Sequence, residues 1–466
     1  MRRLGQLVLV LLLLIIIGGI GFFAYAWKPG IDPLPANQQS AQVADAGLIA
    51  HGAELASVGY CTSCHTAPGG KELAGGLAVQ TPFGTIYSTN ITPDPQSGIG
   101  AWSEAAFQRA MREGVDREGN HLYPAFPFDH FTHVTDEDNK ALYAYLMSRQ
   151  PVAGDTPANE LGFPFNIRML MAGWKLLFLK QGPLPDDTAQ SAEWNRGRYL
   201  VEGLAHCAAC HTPRNALGAE DGGKAFSGTN IEGWYAYPIN VSSPAPVAWT
   251  ADSLANYLGK GFDVHHGAAR GPMAEVTSSL KNVSQDDLHA MATYIVSQMQ
   301  GAAGAAQPPA GAVIAETAPP QTSDSMTIPA VAKSDDIGSA VFSGACSACH
   351  DSGREPPFGG IDLTLSTAVH SDSPQNIVNM VLFGLPASEG QPAGVMPGFA
   401  GAIDEDHLVA LIDYVRKDFG GGKPAWSNTR QLVKDTLSGK TQPLIYSSDG
   451  VRRPPAPLGT STGATQ

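Results

Sequence analysis

Cys61-Thr-Ser-Cys64-His65, Cys207-Ala-Ala-Cys210-His211 and Cys346-Ser-Ala-Cys349-His350 decide how this 466-residue chain reads. Together they use all 6 of its cysteines. Two thiols three positions apart can each form a thioether to one vinyl group of a haem, and the adjacent histidine then lies under the ring as the proximal iron ligand. With 6 Cys and 13 His in 466 residues, chance placement would give about 0.002 such motifs. A zinc site needs two more Cys or His at matching spacing, and no motif has a second cysteine pair in its own segment. A thioredoxin-like redox pair needs a βαβ context, whereas these flanks read as helices. The cofactors expected are therefore three covalent haem c groups. They are held through Cys61, Cys64, Cys207, Cys210, Cys346 and Cys349, with iron on His65, His211 and His350.

Working outward, the segment after each motif repeats in register. A helix-like stretch ends at a glycine: Trp102 to Gly114, Trp249 to Gly261 and Ser373 to Gly384. Apolar residues precede each glycine by seven and three positions (Phe107 and Met111, Leu254 and Leu258, Ile377 and Val381), which marks one buried face. A terminal helix follows, capped by Thr135, Ser284 or Asp404, with a tyrosine ten positions later at Tyr145, Tyr294 and Tyr414. Its apolar stripe suits packing against the helix that precedes the haem motif.

Between those elements each repeat must present a distal ligand, and a methionine thioether favours reduced iron and raises its potential. Met273 and Met396 lie twelve residues after Gly261 and Gly384, so both are expected as sixth ligands. The same offset from Gly114 falls on Phe126, which cannot ligate iron. His130 is nearest in sequence and is the ligand expected there. His121 and His133 are alternatives, as is an open site, while Met111 and Met147 read as packing. A bis-histidine haem would have the lowest potential of the three.

Residues Leu7 to Ala26 are almost wholly apolar and follow Arg2 and Arg3, so a membrane anchor is expected with the bulk of the chain on the periplasmic side. A cleaved signal peptide ending near Ala24-Tyr25-Ala26 is the alternative, and both imply export. The formal charge of -14 argues against nucleic acid as a partner. The organisation expected is an anchor over 1–30, a first domain over 40–150, a linker over 151–186, a second domain over 187–302, an Ala/Pro-rich tether over 303–333, a third domain over 334–422 and a tail over 423–466. The fold class is all-α, three consecutive cytochrome c-type domains after an N-terminal transmembrane helix. Within the first linker Arg168 and Lys175 are seven apart and read as one helix face. That helix is too short to span a bilayer, and it either lies at the membrane surface, docks a partner or bridges domains.

These residues resemble the triple-haem cytochrome c subunits of membrane-bound bacterial dehydrogenases, which serve quinoprotein alcohol, flavin-dependent gluconate and sugar-alcohol, and molybdenum-dependent aldehyde dehydrogenases. The resemblance covers the anchor and the three modules. It rests on the haem motifs, Thr81-Pro-Phe-Gly84, Asn90-Ile-Thr-Pro93 and the Tyr123-Pro-Ala loop. It implies an electron-transfer subunit, without substrate chemistry of its own, that passes electrons from a catalytic subunit to membrane ubiquinone. The Phe126 loop and Phe163-Pro-Phe-Asn-Ile-Arg168 look more like the branch paired with molybdopterin hydroxylases acting on aldehydes or N-heterocycles. There, a molybdopterin large subunit works with a small [2Fe-2S] subunit. The alcohol branch usually has methionine at the position of Phe126, a departure that counts against it. The rival class is a haem enzyme using an open iron at the first motif.

Overall fold

The apolar N-terminal run forms a helix over Arg2–Ala26, 25 residues and so about 37 Å long at 1.5 Å per residue. It is the one candidate membrane span among the described residues. The computed structural model describes residues 2–35, 45–301, 336–354, 359–385, 395–441, 443, 445–446 and 452–453. The expected tether over 303–333 lies outside them. The helix does not end in a free linker. Ala26 is buried, and its carbonyl accepts a hydrogen bond from Nε2 of His121 at 2.7 Å. The chain beyond it is bonded down through Ile31 N–H to the Arg117 carbonyl at 2.8 Å and Leu34 N–H to that of Ala101 at 2.9 Å.

The chain folds into two compact units. The first holds the N-terminal helix and the first haem motif, and runs to Thr188 with the short pieces Tyr199–His206 and Ala216–Ala219. The second holds the other two motifs.

One crossing of helices recurs three times. In the first unit the helix Ala46–Val58 crosses the closing helix Asp136–Met147 at Gly52, where a Cβ would lie 2.0 Å from the Ala141 carbonyl and 2.7 Å from Cβ of Tyr145. In the second unit Gly197 of Ala192–Tyr199 meets Ala290 and Tyr294 of Gln285–Gln300, with the carbonyl 1.9 Å from such a Cβ. Gly338 of Ile337–Ala345 meets Ala410 and Tyr414 of Glu405–Phe419 in the same way, at 2.2 Å. No side chain larger than hydrogen fits so close a backbone approach. The closing helices start where the cap residues place them, since Thr135, Ser284 and Asp404 each accept the backbone N–H three residues on. The glycine-terminated helices are equally regular: Glu104–Glu113, Ala251–Lys260 and Gln375–Phe383, ended by Gly114, Gly261 and Gly384 at φ of 60°, 70° and 72°.

The intervals from crossing glycine to first motif cysteine are nine, ten and eight residues. In the ten-residue case the helix runs on into a π turn over Leu200–Leu204, broken at Gly203 (φ −95°, ψ −107°). The added residue is thus taken up where the backbone departs from helical geometry.

The all-α expectation needs correction, because four small antiparallel sheets accompany the helices among the described residues. Ala78–Thr81, Gly84–Tyr87 and Glu160–Leu161 form one, and Thr229–Ile231 pairs with Trp234–Ala236 in another. The latter hairpin turns on Glu232 and Gly233, both at positive φ (50° and 76°), the geometry that matches strand twist in two-residue turns. Residues beyond 423, which show no core pattern in sequence, also contribute: the helix Thr429–Leu437 buries Val433, and Trp426 stacks under Arg416.

The segment between the first two motifs departs from the expected shared face. Arg168 lies in a 3-10 turn, Arg168–Leu170, whereas Lys175 sits in the helix Met171–Phe178 and is buried. Its Nζ donates to the Gly114 carbonyl at 2.6 Å and to Nδ1 of His121 at 2.9 Å, above the ring of Phe128 at 4.8 Å.

Candidate haem sites

Each Cys-x-x-Cys-His motif wraps into one helical turn, over Cys61–Cys64, Ala208–His211 and Ser347–His350. A turn of 3.6 residues sets the two thiols of each pair on one face, as double attachment to a single ring requires. None of the six cysteines is in a disulfide. Burial pushes the thiols of Cys61 and Cys207 up to about 12, and that of Cys346 up to about 11. Thiols held protonated in this way are not reactive thiolates.

The histidines share a more telling feature. Nδ1–H of His65 donates to the Thr89 carbonyl at 2.7 Å, that of His211 to Tyr237 at 2.7 Å, and that of His350 to Ile361 at 2.9 Å. A backbone acceptor on Nδ1 fixes the tautomer and leaves the Nε2 lone pair as the ligand atom. Burial lowers the pKa of His65 and His211, against the smaller opposing pull of those carbonyls, which keeps them neutral as iron ligation demands. Gly360 comes close enough that a Cβ would lie 2.6 Å from the His350 ring. These residues therefore fit covalent haem.

The expected distal residues fall as follows. Met273 is half-buried on the first turn of the helix Pro272–Leu280. Gly271 just before it packs on the Trp234 indole, where a Cβ would be 2.7 Å away. Trp234 opens the strand that precedes Tyr237, the acceptor for His211. Met396 pairs through its backbone with Leu385, at 2.8 and 3.0 Å, and packs with Cys346 against the core around Phe342, Ile377 and Leu411. Phe126 fills its place by packing edge-on to Phe131, ring centres 5.1 Å apart.

His130 is buried and its Nδ1–H donates to the Glu202 carbonyl at 2.7 Å, the same pattern as at His65, His211 and His350. His121 differs, because both ring nitrogens are bonded, Nε2 to Ala26 and Nδ1 to Lys175. Nδ1 of His133 bonds to the Gly182 carbonyl at 2.6 Å. Sequence reasoning missed His206, which immediately precedes Cys207 at φ 39° with its ring centre 6.4 Å from that of His130. Its signal was a histidine flanking a haem motif. The carbonyls of Thr89, Tyr237 and Ile361 were missed too, since any residue type supplies one.

The cytochrome c family model matches residues 49–150, and that of the cbb3-type cytochrome c oxidase subunit III matches residues 334–415. The chain is 46% identical over 384 residues to a nicotinate dehydrogenase subunit of Pseudomonas putida, covering 82% of this chain and 31% of that protein. It thus spans about a third of that relative's length. It is 34% identical to the fructose dehydrogenase cytochrome subunit of Gluconobacter japonicus, covering 86% of each chain. It is also 34% identical to the gluconate 2-dehydrogenase cytochrome c subunit of Pantoea cypripedii, covering 87% of this chain and 92% of that one.

Proposed function

The chain belongs to the electron-transfer cytochrome c subunits of dehydrogenase complexes, and from that premise we propose that it takes electrons from a periplasmic catalytic subunit and delivers them to membrane ubiquinone through three haem c groups. Haem c iron, cycling between ferric and ferrous states, supplies the one-electron storage. The observation that carries the reading is the threefold repetition of a cysteine-pair turn followed by a histidine whose Nδ1 is held by a backbone carbonyl. Cys61 and Cys64, Cys207 and Cys210, and Cys346 and Cys349 attach the groups. His65 with His130, His211 with Met273, and His350 with Met396 hold the iron. The residues divide into domains over 40–150, 187–302 and 334–422, with the Arg2–Ala26 helix anchoring them on the periplasmic side.

The partner is a molybdopterin catalytic subunit with a small [2Fe-2S] subunit, acting on an N-heterocycle or an aldehyde. Phe126 in place of methionine supports this branch, as does the higher identity to a nicotinate dehydrogenase subunit than to the sugar and gluconate relatives. Membranes expressing the tagged chain should yield those two subunits on purification; a flavin-dependent partner instead would move the reading to the sugar dehydrogenase branch. The pyridine haemochrome of the purified chain should give three haems per chain. In potentiometric titration the haem attached at Cys61 and Cys64 should have the lowest potential. His130→Ala should raise that value alone and produce one high-spin iron in three. A wild-type protein that already binds carbon monoxide at one iron would favour a haem enzyme.

A further inference from the structure

We propose that residues 163–179 form an apolar collar seated in the headgroup region of the bilayer that the Arg2–Ala26 helix crosses, so that the chain meets lipid with a folded face as well as with its anchor. This rests on reading that helix as membrane-spanning.

The first observation is an inverted helix. In Met171–Phe178 the charged residue, Lys175, points inward with Trp174, while Leu176 and Leu177 face outward at 69% and 68% exposure. A helix on an aqueous surface does the reverse. Phe163 ahead of it is 81% exposed, and Phe165, Ile167 and Leu170 are exposed as well. Exposed apolar patches of this kind mark a docking face.

The second observation is the depth of that patch. Gly173 packs on the Phe22 ring, to which a Cβ would come within 3.5 Å. Phe22 lies four residues before the helix end at Ala26, which places the contact about 6 Å below it. Helices lying in a membrane interface bury their apolar faces by about 5 to 10 Å. Tyr25, Trp27 and Lys28 stand at the top of the anchor, with both aromatic side chains exposed, the composition of an interfacial belt. The welded contacts of Ala26, Ile31 and Leu34 fix the level of the collar relative to the anchor. A water-soluble partner at this face would occupy the depth of the lipid headgroups, and that decides for lipid.

The test uses the full chain in vesicles of phosphatidylethanolamine and phosphatidylglycerol that carry a phospholipid with a diazirine near the glycerol end of one acyl chain. After illumination, adducts are mapped by peptide mass spectrometry. They are expected over residues 163–179 as well as over the anchor. The variant Phe163→Ser/Leu176→Ser/Leu177→Ser should lose the collar adducts about tenfold while keeping those on the anchor. All three side chains are exposed, so unchanged haem absorption should verify the fold. Adducts confined to the anchor in the wild type would overturn the collar alone, and adducts on neither segment would overturn the spanning reading with it. Loss of co-purifying subunits in the variant, without any wild-type collar adducts, would assign the face to a protein partner instead.

Discussion

Lys175 carries a proton-linked stability that its surroundings explain. Burial is the larger cause that lowers its pKa from 10.5 to about 7, and the carboxylate of Glu113 only partly offsets this. His121, bonded between Lys175 and Ala26, is lowered by burial as well. In each case the folded chain binds protons less readily than the unfolded chain does. Stability should therefore rise as pH increases from about 7 toward 9, where unfolded Lys175 keeps a proton that the folded chain has released. The gain should be about 2 kcal/mol. Above pH 10 the buried tyrosines act in the opposite sense, because burial raises their pKa, Tyr199 among them. Denaturant unfolding of the detergent-solubilised protein at pH 7, 8 and 9 measures the slope, and Lys175→Met should flatten it. Equal slopes in both proteins would remove Lys175 as the source. None of this shows in the sequence, where Arg168 and Lys175 read as one helix face. The cysteine and histidine motifs stand out in the sequence because haem attachment demands those residue types at fixed spacing, whereas a lysine's burial depends on which carbonyls the fold brings to it.

Among the elements, the glycine-terminated helices and the capped closing helices could be read from spacing alone, since αL caps and N-caps are local devices. The hairpins could not. Trp234–Ala236 is short, and its turn uses Glu232 at positive φ, where glycine or asparagine would have signalled it. The helix Thr429–Leu437 was hidden for another reason, because Val433, Thr429 and Thr436 are its only buried residues. The crossing glycines give the sharpest element-level test. At Gly338 a methyl group would sit 2.2 Å from the Ala410 carbonyl and 2.6 Å from Cβ of Tyr414, so Gly338→Ala should force the two helices apart. A destabilisation of about 1–3 kcal/mol is expected, with loss of the haem proposed at Cys346 and Cys349. Gly344, in the same helix, has nothing within 4 Å of its Cβ position. Gly344→Ala should be neutral or stabilise by up to about 1 kcal/mol. Thermal melting and the haem-to-protein ratio of both variants decide the point, and comparable losses in the two would refer the effect to helix composition.

Over the whole molecule, the second unit joins the surroundings of two motif histidines. The side chain of Asn376 clamps Tyr235 from both directions, its Oδ1 accepting the backbone N–H and its Nδ2 donating to the carbonyl, each at 2.8 Å. Asn379 donates to the Gly233 carbonyl at 2.9 Å. Two residues past Tyr235 is Tyr237, the acceptor for His211, and Tyr237 packs on the core that contains Ile377 and Leu411. In return Gly267 lies against Ile361, the acceptor for His350, where a Cβ would come to 3.2 Å. The contact thus links the two loops whose carbonyls hold His211 and His350. Nothing in the sequence announced it, because asparagines on the buried face of Gln375–Phe383 look like interruptions of an apolar stripe. Asn376→Ala/Asn379→Ala removes the three hydrogen bonds to Tyr235 and Gly233 together with the one that Asn379 accepts from Gln375, and strands backbone groups, at a cost of about 3 kcal/mol. If the clamp positions His211, the haem proposed at Cys207 and Cys210 should shift in midpoint potential while that proposed at Cys61 and Cys64 stays in place. If it only glues the fold, stability should fall with every potential unchanged. Potentiometric titration of the folded variant separates these outcomes, and Asn376→Gln/Asn379→Gln, which keeps the amides but changes their reach, should fall between the alanine variant and the wild type.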